Sequence, residues 1–360
     1  MNVLMVSTDR KILDAESAVA KRMCEYGELS ERLTILLLGT GDRSVADLSE
    51  RVHVVFPGGM SKREAYKNAF WEGMREAREL PASLVTTQDP FFVGFVGWRI
   101  ARALHVPLQV QAHTDFLNTR YIFSSFRKMF EVLLSFFVLS QATCIRVVSK
   151  RIARSLAFFK KANIHILPIH VPERTVSEEV PPEYTTDKKI LMVARLEHEK
   201  NVATALHALT AIPEMHLYIV GDGSLRESLE RLARTLNIEN RTHFLGWHKH
   251  TEPYYQHADV FLQLSRFEGY GISLVEAAYA KLPIVTTHVG VVGDIFIPSE
   301  DVVITNGKPA DVAECIQEII EHPEKAARYA EQAYQKAHAH GMTHEKYLEL
   351  YKRTWEECAR

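Results

Sequence analysis

The chain has few cysteines and no C-x-x-C: Cys24, Cys144, Cys315 and Cys358 are far apart among 360 residues. That spacing suggests neither a zinc knuckle nor a disulfide framework, and it predicts a reducing compartment, the cytoplasm. Long apolar runs are missing too. The most apolar stretches, Phe91–Trp98 and Met129–Leu139, fall well short of the ~20 residues needed to cross a bilayer, and Glu131 interrupts the second. The first nine residues form a strand-like run without a basic n-region or a small-residue cleavage site, so no signal peptide is expected. The 12 aspartates contain no D-x-D, the simplest arrangement for holding Mg²⁺ or Mn²⁺ against a diphosphate. Neither G-x-x-x-x-G-K-[ST] nor G-x-S-x-G occurs, which argues against P-loop hydrolysis and against acyl transfer by a nucleophile elbow. The histidines include His248-Lys-His250 and His338-Ala-His340 but no H-E-x-x-H; residues two apart diverge on a helix, so these are expected to be solvated rather than metal ligands.

A large charge excess is also lacking. With 43 Lys+Arg against 45 Asp+Glu, the net charge of −2 argues against a protein that coats nucleic acid, and no nucleic-acid partner is expected. The balance conceals a local asymmetry: residues 90–170 hold 11 basic and 2 acidic side chains.

What is present is a regular alternation. Short, continuously apolar, β-rich runs occur at Val3–Val6, Leu33–Leu38, Val52–Val55, Leu84–Thr86, Leu108–Gln111 and Cys144–Val148, and again at Ile190–Ala194, His216–Val220, Thr242–Phe244, Val260–Leu264 and Ile284–Thr286. Such runs suit strands buried on both faces of a parallel sheet, with helices between them. The pattern predicts an α/β protein with two doubly wound, Rossmann-like domains. The expected boundaries are 1–170 for the first domain, 171–187 for a linker rich in proline and glutamate, and 188–341 for the second. A closing helix over 342–360, with Thr343 as N-cap, is expected to pack back on the first domain.

The segment Ser265-Arg-Phe-Glu-Gly-Tyr-Gly-Ile-Ser-Leu-Val-Glu276 carries the clearest chemistry. A strand ends, a glycine turn follows, and a helix begins near Ile272 and runs until Leu282-Pro283 stops it. The N–H groups around Tyr270, Gly271, Ile272 and Ser273 have no helical acceptor and sit at the positive helix end, a natural anion cradle. Gly269 and Gly271 let an anion approach the main chain, and Glu268 and Glu276 border the cradle. A second segment, Val193 to Asn201, places Arg195 just after a strand and Lys200 at the head of the next helix, where the two cations could neutralise a diphosphate without a metal.

Arg195…Lys200, followed by Gly221-Asp-Gly223, Phe244-Leu-Gly-Trp247 and Glu268-x7-Glu276, resembles the nucleotide-sugar domain of a GT-B glycosyltransferase of the GT4 type, in order and spacing across the second domain. The resemblance implies the GT-B architecture, two such domains facing a central cleft. It implies a retaining, metal-independent hexosyltransferase that uses a nucleotide-diphosphate sugar as co-substrate and needs no other cofactor. Its acceptor would be a glycan, a lipid-linked sugar or a small molecule, as in cell-envelope polysaccharide or glycolipid biosynthesis. It further implies that Arg195 and Lys200 bind the diphosphate, Glu276 the ribose hydroxyls and Glu268 the donor sugar, with Gly246 and Trp247 near the base. His113 resembles the family's histidine facing that sugar. Two departures stand out: Ser7-Thr-Asp-Arg-Lys-Ile-Leu-Asp14 replaces the usual Gly-Gly loop, and His170 occupies a turn that is commonly Gly-Val-Asp-like.

Other readings remain open at the level of sequence. A nucleotide-sugar epimerase would use the same cradle, and a noncatalytic nucleotide-sugar or membrane-binding protein would bind without turnover. His113 could instead be a strand-end histidine satisfied by Asp115. Gly221 and Gly223 are read as a turn without a ligand. The stripe Phe126, Met129, Phe130, Leu133, Leu134 and Phe137 has helical spacing and reads as a core face. Its basic surroundings across residues 120–161 fit either a solvated face or peripheral contact with anionic membrane.

Overall fold

The structure, a computed structural model, describes residues 1–173, 179–186 and 188–360; part of the expected linker, 174–178 and 187, lies outside them. The chain forms two compact units, one of Met1–Pro168 with Thr343–Arg360 and one of Ile169–Met342.

Unit 1 alternates β1 (Asn2–Ser7), α1 (Ala18–Gly27), β2 (Arg32–Leu37), β3 (Ser44–Ser49), β4 (Val52–Phe56), α2 (Lys62–Glu79), β5 (Leu84–Thr87), α3 (Phe92–Leu104) and β6 (Leu108–Ala112). It continues through α4 (Thr119–Ile122), α5 (Phe126–Ser140), β7 (Cys144–Val147), α6 (Lys150–Leu156) and β8 (Asn163–Ile166). The eight strands lie in the order β3-β4-β2-β1-β5-β6-β7-β8, all parallel except the edge pair β3–β4. The central strands are apolar throughout because helices cover both faces; Val3 to Val6 are all buried.

Unit 2 runs β9 (Lys189–Val193), α7 (Val202–Leu209), β10 (His216–Val220), α8 (Arg226–Thr235), β11 (Thr242–Gly246), α9 (Glu252–Gln256), β12 (Val260–Gln263), α10 (Ile272–Tyr279), β13 (Ile284–Thr286), β14 (Val303–Ile304), α11 (Pro309–Glu321) and α12 (Pro323–His340). Its six parallel strands lie in the order β11-β10-β9-β12-β13-β14. The core packs Ile190 and Met192 of β9 with Leu206 and Leu209 of α7 and Val312 and Ile316 of α11.

The last helix, α13 (His344–Ala359), is capped by the Thr343 hydroxyl and belongs to unit 1. Tyr351 stacks on Tyr26 at 4.2 Å, and the Gln109 amide donates to the Thr354 carbonyl at 3.0 Å. Cys358 of α13 forms a disulfide with Cys144 of β7. This corrects the expectation drawn from cysteine spacing, because the parallel sheet and the returning helix bring together residues 214 positions apart.

A second correction concerns α5. Its buried face is Glu131, Val132, Ser135, Val138 and Leu139, whereas the stripe read as core faces outward, with Phe126 88% and Leu133 65% exposed. Helical spacing shows that residues share a face; it does not show which face the fold covers.

Candidate functional site

In unit 2 the chain steps outward from β9 to β10 and β11, then returns to β12 on the other side of β9. The loops leaving the C-terminal ends of β9 and β12 therefore diverge, and open α/β sheets bind ligands at such a switch point. The β9 loop carries Arg195 and a short helical turn, His198–Lys200, ending at Asn201 in the left-handed region with φ 56°. The β12 loop carries Ser265 to Gly271 and opens into α10.

The two loops meet through one ion pair. The Lys200 ammonium donates to Glu268 Oε1, which also accepts the Ser265 hydroxyl at 2.8 Å. Both charged side chains are largely withdrawn from solvent, at 17% and 15% exposure. The Arg266 N–H donates to the Glu199 carbonyl at 2.7 Å and fastens the loops a second time. Arg195 extends outward, and its guanidinium donates to Glu199 Oε1 at 3.2 Å.

Beside the ion pair lies the start of α10. Gly271 is its N-cap with φ 95°, and no side chain caps the helix, so the first-turn N–H groups of Ile272 and Ser273 point out of it. The Ser273 hydroxyl donates to Gln263 Oε1 at 3.0 Å, while the buried Gln263 Nε2 has no acceptor among the described residues. The glycine loop is closed from behind by the turn at Gly290, φ 58°, where an added Cβ would stand 2.2 Å from the Tyr270 carbonyl oxygen. The Val291 N–H donates to that same oxygen at 2.9 Å. Burial raises the Tyr270 phenol well above its ordinary range, so it is a neutral hydroxyl. Gln263 and Gly290 are parts of this site that lie outside both chemistry-bearing segments of the sequence, and Ser265 and Glu199, inside them, are assigned no role by the motif.

The remaining residues of the motif lie around this centre. Glu276, further along α10, accepts the Tyr255 hydroxyl at 2.9 Å and lines a small cavity with Thr251, Glu252, Tyr255 and Tyr279. Gly246 ends β11, two strands from β9, and Trp247 follows it; Gly246 has φ 80° and Trp247 is 74% exposed. Gly221 and Gly223 serve packing, since an added Cβ would stand 2.0 Å from the Ala194 oxygen or 2.5 Å from the Leu196 oxygen.

In unit 1, His113 follows β6 and keeps an open face to solvent. Its Nε2 lies 3.0 Å from Gln111 Oε1 and 3.5 Å from the Arg146 guanidinium; Asp115 is not its partner. The protein packed around the ring, then Arg146 and Arg22, lower its pKa to about 3, so the imidazole is neutral. Arg146 is buried, stacks over Tyr351 at 4.4 Å and donates to Gln111 at 2.5 Å. The loop after β1 forms a short turn, Arg10–Leu13, with Arg10 stacked on Phe56 at 4.7 Å and donating to the Thr40 carbonyl.

Among the described residues no helix is long and apolar enough to cross a membrane, and no group of three His, Cys, Asp or Glu side chains is placed to hold a metal.

Two family models match in tandem: Glycosyltransferase Family 4 over residues 28–172 and Glycosyl transferases group 1 over residues 173–336. A 2-deoxystreptamine N-acetyl-D-glucosaminyltransferase of Niallia circulans is 34% identical over 132 residues, which are 35% of this chain and 33% of the relative; the match thus spans about a third of that relative's length. An alpha-monoglucosyldiacylglycerol synthase of Acholeplasma laidlawii is 25% identical over 280 residues, covering 69% of this chain and 67% of the relative. Among solved structures, Anabaena Alr3699/HepE in complex with UDP-glucose superimposes with a TM-score of 0.77 at 16% identity, covering 99% of this chain and 100% of that one.

Proposed function

We propose that this chain, which belongs to the GT4-type glycosyltransferases of the GT-B fold, transfers a hexose from a nucleotide-diphosphate sugar to an acceptor bound by unit 1. The observation that carries the reading is the Lys200–Glu268 pair beside the uncapped start of α10, at the switch point of unit 2. The N–H groups of Tyr270 to Ser273, with Lys200 and Arg195, supply countercharge for the diphosphate, so the reading needs no metal. Binding of phosphate oxygens at Lys200 would loosen its hold on Glu268 and leave that carboxylate able to accept hydroxyls of the donor sugar. Glu276 is assigned the ribose, the Gly246–Trp247 turn the base, and neutral His113 a sugar hydroxyl.

The reaction in this reading retains configuration. The anomeric C–O bond to phosphate breaks, a bond to the acceptor oxygen forms on the same face, and the acceptor proton passes to the departing phosphate oxygen. No carboxylate nucleophile is used.

The outward face of α5 supports a lipid-linked acceptor, met by peripheral contact of residues 120–161 with an anionic membrane on its cytoplasmic side. The Acholeplasma relative is named for synthesis of a glucosyl lipid.

The test is to incubate the protein with UDP-glucose and other nucleotide sugars, with and without lipid and glycan extracts. Nucleoside diphosphate is expected only with both substrates, in EDTA, together with a product of unchanged anomeric configuration by NMR. Conversion of the sugar nucleotide without acceptor would favour the epimerase, and an inverted product would overturn the retaining step.

A further inference from the structure

Three neighbouring helices of unit 1 turn mainly small and aliphatic residues inward, with Glu72 of α2 and Glu131 and Ser135 of α5 buried among them, and present aromatic and cationic residues on the outer side. Helix α2 buries Ala65, Ala69, Gly73 and Ala77, and at Gly73 an added Cβ would stand 2.8 Å from Ile100. That close approach leaves Tyr66, Phe70 and Trp71 on the outer side with Lys62 and Lys67. Helix α3 buries Val93, Val96, Ile100 and Ala101, and turns out Phe92, Phe95 and Arg99. Helix α5 adds Arg127 and Phe130.

Together they line a groove of about 850 Å³, a size typical of small-molecule sites. Ring contacts run along its wall: Tyr66 stacks on Phe92 at 5.5 Å, Phe92 lies 6.1 Å from Phe130, and Arg99 covers Phe70 at 4.4 Å. Five cations line it, the four above and Arg63, and no carboxylate does. Of the five, Arg127 is paired with Glu131. Phe95 of the groove lies 6.3 Å from Phe137; Phe126, Leu133 and Phe137 of α5 are exposed, and Phe158, two residues before Lys160, stacks on Phe136 at 5.6 Å.

We propose that this groove binds one anionic membrane phospholipid, its phosphate held by Lys62, Lys67 and Arg99 and its acyl chains laid on the aromatic wall. The proposal rests on the membrane reading of residues 120–161 and deepens it, adding a lipid site on α2 and α3 outside that stretch.

Charge and composition select the occupant. A second copy of the chain would place cations against cations across a two-fold interface. A protein partner meets cores in which lysine is depleted, whereas here two lysines lie at the aromatic wall. A phospholipid satisfies both requirements at once, with a negative head for the cations and chains for exposed rings such as Trp71, 57% exposed.

The test uses dihexanoyl phosphatidylglycerol below its micelle concentration, with dihexanoyl phosphatidylcholine and inorganic phosphate as controls, measured by calorimetry on the full chain. Saturable one-to-one binding of the anionic lipid is expected, at least tenfold tighter than either control. Lys62→Glu with Lys67→Glu should weaken it at least tenfold. Phe126→Ser with Leu133→Ser, outside the groove, should leave it unchanged while reducing cosedimentation with phosphatidylglycerol vesicles. Equal binding of the phosphatidylcholine control, or unchanged binding in the Lys62/Lys67 variant, overturns the site. Vesicle binding without any binding of the soluble lipid overturns the site but spares the membrane reading. Failure of the wild type to bind phosphatidylglycerol vesicles at low salt overturns that reading. Concentration-dependent dimerisation lost in the Phe126/Leu133 variant identifies the occupant as a second copy and overturns the lipid.

Discussion

Lys200 and Glu268, 68 positions apart, form an ion pair that joins the loop after β9 to the loop after β12 at the switch point of unit 2. The pair orders the site before any donor arrives. It also sets a cost, because removing one partner leaves the other charge poorly solvated. Lys200→Ala is expected to lower unfolding free energy by about 1–3 kcal/mol, and Lys200→Ala with Glu268→Ala to cost less than the sum of the single changes. Urea unfolding of the four proteins measures this, and additive effects would contradict a coupled pair.

The two carboxylates of the motif should separate in kinetics. Glu268 lies beside the cradle, where charge develops as the anomeric bond breaks, so Glu268→Gln is expected to lower kcat by about 30- to 1,000-fold, equivalent to ~2–4 kcal/mol. Glu276, bonded to Tyr255 in its own cavity, should contribute equally to ground and transition states, so Glu276→Ala should mainly raise KM for the donor. Near-normal kcat in Glu268→Gln with lost donor affinity would reverse the assignment.

Turnover is expected to survive EDTA, because Arg195, Lys200 and the start of α10 supply the countercharge. Complete loss in EDTA, restored by Mg²⁺ or Mn²⁺, would falsify that account of leaving-group stabilisation.

Two groups in unit 1 carry pH signatures. Desolvation of its inner side and the nearby Arg146 and Arg22 lower the His113 pKa to about 3, so its proton resonances should not titrate between pH 8 and 5; an inflection near ~6.5 would contradict this Arg146-flanked environment. Because this pKa lies below the unfolded value, the stability it contributes is present above ~6.5 and lost as pH falls.

Asp89, before α3, has the opposite sign. Burial raises its carboxyl to about 6, while its Oδ1 accepts the Phe91 N–H at 2.8 Å. The native state therefore holds this proton more tightly than the unfolded chain, and stability is withdrawn as pH rises from ~4 to past 6. Asp89→Asn keeps the acceptor and removes the charge; it should raise unfolding free energy by about 1–3 kcal/mol at pH 7 and leave it nearly unchanged at pH 4. Equal effects at both pH values would contradict this.

Much of the fold was legible because the sheets are parallel and covered on both faces: all eleven apolar runs marked in the sequence fall on observed strands. The strands left unmarked are β3, β8 and β14. β3 is an antiparallel edge strand whose Ser44-Val-Ala-Asp-Leu-Ser49 has no buried residue, β8 is the opposite edge, and β14 is two residues long. Edge strands need not be apolar, so their composition resembles that of loops. In the site, the motif marked residues near in sequence, whereas Gly290 packs against the Tyr270 carbonyl and the Glu199 carbonyl accepts the Arg266 N–H from a loop far along the chain. The outward aromatics of α5 have the same periodicity as a core face; only the observed burial of Val132, Ser135 and Val138 opposite them separates the two.

The central claim is that unit 2 binds a nucleoside diphosphate at the Lys200–Glu268 centre without metal. Calorimetric titration of UDP and GDP into the protein in EDTA tests it most directly. The account predicts saturable one-to-one binding of at least one of them, weakened at least tenfold in Lys200→Ala and unaffected by Lys62→Glu on α2. Absence of binding to both nucleotides, or equal affinity in wild type and Lys200→Ala, would contradict it.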